Sequence, residues 1–531
     1  MVVRRQLSRH INTLAFQCVF RMGGSSFNRL WPSVTPDKTT AIHVADNRGA
    51  SPFLAITMRT YRNFIDGRFV EPQSDSFSDV DNPATSGIIA RVALASQDDA
   101  LSAVEAASRA QKKWRALSAI ERGEHLRRFA DAIVERAPQI GAALALESGK
   151  SVADSENEAR YAADITRYHA EWARRIEGEV IPSDTPNENL VLHREPIGVV
   201  ACLIPFNYPV YTLLRKIAPA LITGNTVVVR PSNNTPASAF EIAEAALQAG
   251  LPAGIFNVLA MDHATAGTVC THPAVGMITL TGSVNAGRIV LDYCKTNIAK
   301  PSLELGGKAP AIIEPDADLE AAASAIVASK TTHCGQLCTA MERVYVHASV
   351  HDRFVELLRA KMHAVSFGDR SQDASKMGPL VSRSAQRNIH AMVERAVAEG
   401  ATIATGGVLP EGPGYFYPAT LLVNCRHDME IVREEIFGPV LPVISYDTLD
   451  DALAMANDHQ YGLSSVLYTE NYRTAMRVAN EIEAGELYVN RTPADPYQGF
   501  HAGWKRSGLG GDDGKHGMLE FTQTRLVVMK Y

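Results

Sequence analysis

No apolar run in this chain approaches the roughly 18 residues that a membrane helix needs. No block of lysine and arginine is present and the net charge is −6, so the electrostatic footprint of a nucleic-acid binder is missing. Cysteine is sparse. The seven are Cys18, Cys202, Cys270, Cys294, Cys334, Cys338 and Cys425. An odd number scattered over a long chain does not form a disulfide framework, and a reducing compartment fits better. Internal repeats and low-complexity segments are also missing.

Aspartate and glutamate are absent from residues 1–36, which carry Arg4, Arg5, Arg9, Arg21 and Arg29. Arginine-rich and acid-free is the composition of a mitochondrial transit peptide. Met58, just before YRNFIDGRFV, supports a rival reading in which the start is mis-assigned. The second reading places the protein in the cytoplasm, the first in the mitochondrion. Residues 1–58 are set apart on either reading and expected to be disordered.

What is present is ordinary for a soluble globular protein: 46% hydrophobic and 21% charged over 531 residues. At about 150 residues per domain, that length allows three or four. Helical patterns come first. Ser96 with Asp98 and Asp99 opens a helix to about Trp114, and Glu121 to Leu146 and Asn157 to Ile176 continue the spacing. Then short apolar runs alternate with helices: VVACLIP, TVVVR, IFNVLA and GMITLTGS. These read as βαβ units of a parallel sheet. A second series follows Gly306, with APAIIE, RVYV, GPVLPVISY and GLSSVLY. The fold class is therefore α/β with two lobes. GEVIPSDTPNENLVLHREP (residues 178–196) reads as a protruding hairpin and the C-terminal TRLVVMKY as a lone strand. Such edges need a partner, and another subunit is one candidate.

HCGQLCTAMERVYV sets two cysteines four residues apart beside His333. A zinc site would want four ligands, and no second pair lies elsewhere. A Cys334–Cys338 disulfide is awkward in a helical segment. Two inert buried thiols are the plainest reading. A nucleophile would need an oxyanion donor, a base and a place for a cofactor. Candidates exist. Glu304 ends a strand in LELGGKAPAI, ahead of a Gly-Gly turn that permits close approach. Asn207 ends another in IPFNYP, where its amide could donate to an oxyanion. Gly282, Ser283 and Gly287 of TLTGSVNAG lie between a strand and a helix, a place for a pyrophosphate.

Taken together, PFNYP, VVVRPSNNTP, ITLTGSVNAG, LELGGKAPAI, CGQLC, EEIFGPV and RSGLGG stand in one order, and residues 60–531 resemble the aldehyde dehydrogenase superfamily. The resemblance implies a Rossmann-like coenzyme domain (60–177 and 197–305), a catalytic α/β domain (306–521) and a small β oligomerisation element (178–196 and 522–531) that forms a homodimer or homotetramer. It implies oxidation of a small aldehyde to a carboxylate, with Cys338 as nucleophile, Glu304 as general base, and Asn207 with the Cys338 N–H as oxyanion hole. Lys216 resembles the family lysine near the thiol. Phe206, Arg230, Ser232, Asn233, Gly282, Ser283, Gly287, Glu435 and Phe437 fall at coenzyme positions, and no metal is implied. The coenzyme implied is NAD. Asn233 stands where the family usually has the glutamate that repels a 2′-phosphate, and Arg230 replaces its lysine, so NADP is also admitted.

FHAGWKRSGLGGDDGKHG, GPVLPVISYDTLDDA and LELGGKAPAIIEPDADLE resemble the members acting on lactaldehyde and glycolaldehyde. Tyr208, Tyr211, Thr212 and Arg215 share one helix face. With Asp495 and His501 they form a polar pocket for a hydroxylated aldehyde, unless Arg215 and Asp495 merely pair with each other or face solvent. Succinate semialdehyde or another semialdehyde is the competing substrate, its carboxylate on Arg215. A non-catalytic family member would lack Cys338, Glu304 or Asn207, and all three are present.

Overall fold

The computed structural model describes residues 58–72 and 76–531. The expectation for the N-terminal extension falls, Met58 apart, outside the described residues. Alternating valines explain the first large sheet. In VVACL and TVVVR, Val200, Cys202, Val227 and Val229 enter one apolar cluster, while Val199, Ala201 and Val228 enter another on the opposite face. A sheet buried on both faces must be apolar at successive positions, and side chains alternate between faces. Each fully buried valine is worth about 1.5–3 kcal/mol.

Strand order places the ligand side of this sheet. Val199–Leu203 lies in the middle. Thr226–Arg230 and Phe256–Val258 follow on one side, Val275–Thr281 and Lys300–Glu304 on the other, all parallel. The order reverses between Val199–Leu203 and Val275–Thr281, and open α/β sheets bind ligands outside the carboxyl ends of strands at such a point. Gly508–Leu509 closes one edge antiparallel to Lys300–Glu304, so a late segment joins the early sheet. A second, seven-stranded sheet runs Thr402–Thr405, Thr420–Val423, Val440–Tyr446, Met341–His347, Ala309–Ile313, Ser464–Tyr468, Glu486–Val489, around its own apolar cluster.

The helices follow their caps. Gln97–Ala116 starts at Ser96, whose hydroxyl accepts from Asp99 N while Asp99 answers, a reciprocal capping box. The single helix expected over 121–146 is two, Ala119–Glu135 and Ala137–Ser148. Pro138 has no N–H to give, so it fits only the first turn of a new helix. The stray strands find each other within the chain. Thr522–Lys530 pairs antiparallel along its length with Glu188–Pro196, which also pairs with Glu179–Pro182. No helix among the described residues is long and apolar enough to cross a membrane.

Candidate active site

Four strand ends converge on one cavity of about 610 Å³. Its wall carries Phe206 and Asn207 after Val199–Leu203, Arg230, Ser232 and Asn233 after Thr226–Arg230, Gly282 and Ser283 after Val275–Thr281, and Glu304. Ser283 caps the 14-residue helix Val284–Asn297, its hydroxyl accepting from Ala286 N at 3.2 Å. The positive end of that helix thus faces the cavity, which suits a pyrophosphate. Phe206 and Phe437 meet edge to face at 5.7 Å on the same wall. Glu435 accepts from Gly307 N at 3.0 Å, and burial and Glu342 raise its carboxyl to about 8. That contact needs glycine beside it: a Cβ on Gly306 would lie 2.4 Å from Glu435 Oε2. The residues present fit a dinucleotide.

A second cavity, about 760 Å³, adjoins the first. Asn207, Thr281, Glu304 and Cys338 line both. These four therefore stand at the junction of the two spaces. The loop carrying Cys338 is pinned by its neighbours. His333, Cys334 and Gly335 all have positive φ. For two non-glycine residues that costs roughly 1–2 kcal/mol each. Gln336 holds the turn, donating to His333 O at 3.0 Å and accepting from Val381 N at 2.9 Å. Gly335 packs where a Cβ would sit 2.4 Å from Gly438 O. Cys334 is fully buried in the second core and lines neither cavity. Asn207 Nδ2 donates to Gln336 O at 3.1 Å, which leaves its second N–H.

The helix Pro209–Ile222 walls the second cavity. Glu158 accepts from both Val210 N and Tyr211 N at 3.1 Å, fixing its first turn. Tyr208, Tyr211, Thr212 and Arg215 line the space, with Tyr161, Asp495 and His333. Each lysine or arginine on this wall already carries a carboxylate. Lys150 binds Glu158 at 2.6 Å, Arg370 binds Asp154 at 2.7 Å, and Arg215 binds Asp513 and, at 3.4 Å, Asp495. Five polar atoms of lining residues are buried without a partner among the described residues: Tyr211 Oη, Arg215 Nε, Thr281 Oγ1, Glu304 Oε2 and His333 Nε2. Burial, with Lys150 and Arg370 nearby, holds His333 well below its usual range and so neutral.

Three expected site residues lie elsewhere. His501 lines neither cavity and is 1% exposed. It sits behind Glu304, with Nε2 3.2 Å from Glu304 Oε1 and Nδ1 2.9 Å from Glu486 Oε1. The ligand atoms of Glu304, Cys338 and His501 all lie within 4.8 Å of one another. Lys216 is fully buried, bonded to Asp512 at 2.9 Å and Thr279 at 3.0 Å, and faces neither cavity. Gly287 is a packing position, because a Cβ there would lie 2.7 Å from Leu305 Cδ1. The reading in which Arg215 and Asp495 pair describes their contact, although both still line the cavity.

The charges shape the groups at the junction. Burial opposes charge on Glu304, yet the His501 hydrogen bond and charge, with Arg215 and Lys216, bring it down to about 2. Burial would lower His501, but Asp495 and Glu486 raise it well above its usual range. Burial and Glu304 push the Cys338 thiol up, against the pull of His501. Burial raises Asp513 to about 6 even beside Arg215. Thr281, Glu486 and Asp513 were not singled out from sequence. The paired acids of GGDDG in a glycine-rich loop were the available signal for Asp513.

Known proteins resemble this chain over most of its length. Residues 69–527 match the model of the aldehyde dehydrogenase family. The chain is 47% identical to the lactaldehyde dehydrogenase of Escherichia coli (strain K12), over 88% of this chain and 98% of that protein. A crystal structure of lactaldehyde dehydrogenase from Escherichia coli superposes with a TM-score of 0.88 at 45% identity, covering 89% of this chain and 100% of that one. A 3,6-anhydro-L-galactose dehydrogenase solved in complex with NAP matches with a TM-score of 0.86 at 37% identity, covering 88% of this chain and 100% of that one.

Proposed function

Because the chain belongs to the aldehyde dehydrogenase family, and so is an oxidoreductase acting on aldehydes with NAD or NADP, we propose that its substrate is a small hydroxylated aldehyde of the lactaldehyde or glycolaldehyde type. One observation carries the choice: hydroxyl, carboxylate and imidazole side chains line the second cavity, among them Tyr161, Tyr208, Tyr211, Thr212, His333 and Asp495. Buried polar atoms cost about 1–3 kcal/mol each when left without a partner. A hydroxylated ligand supplies partners and an alkyl chain does not, so such a wall discriminates strongly. A semialdehyde's carboxylate fits less well, since Lys150, Arg215 and Arg370 are already paired.

Cys338 attacks the aldehyde carbon as its thiol proton leaves to Glu304, which lies within 4.8 Å of the sulfur and sheds it to solvent through the cavities both residues line, and Asn207 stabilises the oxygen that becomes negative. Each such donor is worth about 3 kcal/mol in comparable sites. When bound, a nicotinamide coenzyme would supply the acceptor for the hydride that leaves as the adduct on Cys338 becomes a thioester. Glu304 then takes a proton from the water that attacks the thioester. Phe206, Phe437, Glu435, Gly282 and Ser283 would hold the coenzyme, with Arg230, Ser232 and Asn233 toward its adenosine. NAD is the main coenzyme in this reading. Asn233 offers no charge against a 2′-phosphate, and the only side-chain bond of Arg230 among the described residues is Nε to Met261 O at 3.1 Å. The assembly proposed is a homodimer or homotetramer through the sheet of Thr522–Lys530, whose Leu526, Val528 and Met529 are exposed.

The test is kcat/KM across lactaldehyde, glycolaldehyde, propanal, hexanal and succinate semialdehyde. The hydroxyaldehydes should lead. If succinate semialdehyde leads, the paired cations do not exclude a carboxylate; if hexanal leads, the polar wall does not select.

A further inference from the structure

Behind the wall of the first cavity lies a group of buried charges that the proposed chemistry does not use. Glu342 is on the strand Met341–His347, shortly after Cys338, and lines neither cavity. Its Oε1 accepts from Lys330 Nζ, and its Oε2 accepts from Lys308 Nζ at 3.0 Å. All three side chains are 0–1% exposed. Burial opposes charge on Glu342, yet the two lysines hold its carboxyl below the usual range. Two lysines shut away from water need an anion. A carboxylate that only balanced them would need no main-chain contact. Glu342 makes one: Oε2 also accepts from Ile436 N at 2.8 Å.

Ile436 stands between Glu435 and Phe437, both on the wall of the first cavity. Phe437 holds φ at 52°, a conformation that residues with a side chain rarely adopt, so its loop needs support from outside. The turn after Glu304 gives a second hold, where Gly307 N, next to Lys308, donates to Glu435 Oε1 at 3.0 Å. On its other flank the loop packs on the turn that leads to Cys338, where a Cβ on Gly335 would lie 2.4 Å from Gly438 O. Glu342 therefore ties the turn after Glu304 and the strand after Cys338 to the loop of Glu435 and Phe437.

We propose that Glu342 is a positioning residue for the coenzyme: its bond to Ile436 N sets the loop from which Glu435 and Phe437 reach the first cavity. The inference rests on the reading that these two residues hold the coenzyme. Lys308 and Lys330 fix the carboxylate, and the carboxylate fixes the loop before any coenzyme arrives.

The experiment compares three full-length proteins that share one change: Lys330→Met, Lys330→Met with Glu342→Gln, and Lys330→Met with Glu342→Leu. The two double variants have equal charge and differ in the acceptor, since glutamine keeps an oxygen for Ile436 N and leucine has none. NAD is titrated by fluorescence. Relative to Lys330→Met, its Kd should stay within about two-fold with glutamine and rise about ten-fold with leucine. KM for NAD should follow, while KM for the aldehyde at saturating NAD stays within about two-fold. A leucine variant that binds NAD as tightly as the glutamine variant would overturn the proposal. So would equal rises in both KM values, which mean a general loosening. A second measurement needs only the unaltered protein. In its coenzyme-free state the Ile436 amide should exchange hydrogen slowly, read by mass spectrometry of peptides ending on either side of it; exchange as fast as in an exposed turn also overturns the proposal. Glu435→Gln and Phe437→Ala test the premise. If neither weakens NAD binding, the coenzyme reading fails and the proposal with it; if either does and the leucine variant does not, the proposal alone fails.

Discussion

Replacing Arg215 with methionine removes one cation from beneath two carboxylates. Asp513 is fully buried and Asp495 is 14% exposed. Methionine fills a similar volume but offers neither aspartate a charge. Breaking a buried ion pair from one side costs about 3–5 kcal/mol, because the partner's charge stays behind. The second substitution, Asp513→Asn, takes that charge away and should return most of the loss. The two changes together should therefore cost less than Arg215→Met alone, a coupling of about 1–3 kcal/mol in a double-mutant cycle. The pH dependence has a definite sign. Asp513 sits at about 6 in the folded chain against 3.8 ordinarily, held up first by burial. A carboxyl raised on folding binds more protons in the native state, so stability falls as pH rises from about 3.8 to 6 and stays lowered above. The deficit of Arg215→Met should be largest above pH 7 and shrink toward pH 5, as Asp513 takes a proton. The assay is denaturant unfolding at pH 7.5 and pH 5 for the four proteins of the cycle. Equal stability of Arg215→Met and the unaltered protein, or simple addition of the two single effects, would refute the reasoning.

Cys338→Ala should abolish aldehyde oxidation while coenzyme still binds by fluorescence titration, and Cys334→Ala should keep most activity because its thiol lies in the core. Kinetics with both coenzymes should give only weak rejection of NADP, and Asn233→Glu should sharpen it; strong rejection by the unaltered protein would count against the open adenosine end. Gly306→Ala should raise KM for coenzyme about ten-fold or more, since its Cβ would displace Glu435; an unchanged KM would show that Glu435 is not held by that turn. Tyr211→Phe should lower kcat/KM for lactaldehyde by about 1–3 kcal/mol and leave propanal nearly unchanged, a contrast that fails if the hydroxyl points away from the substrate.

The sheet strands were legible because each is a short apolar run whose burial on both faces admits little else. Val199–Leu203, Thr226–Arg230 and Val275–Thr281 lie within VVACLIP, TVVVR and GMITLTGS. The early strands were missed, although Asp66–Gly67 is a hairpin turn with φ of 52° and 76° between Phe64–Ile65 and Arg68–Phe69. That dipeptide is a strong local signal; two-residue strands give no periodicity to support it. The C-terminal strand showed its apolar character but not its partner, because pairing across more than 300 residues leaves no trace in local spacing.

The same limit separates the junction residues from His501. Cys338, Glu304 and Asn207 sit at strand ends or on a pinned loop, and their positions follow from the sheet. His501 was expected to face the substrate together with Asp495 of the same loop, and only Asp495 lines the cavity. What turns the imidazole inward is the paired bridge to Asp512, the carboxylate of Glu486 and that of Glu304, the last from nearly 200 residues earlier in the chain. An aromatic ring here would fill the volume without joining those carboxylates, and two buried acids would then face each other with nothing between them to donate. Histidine meets both requirements at once. Its two nitrogens thereby join Glu304 to Glu486, while the shape of the second cavity is set by other side chains.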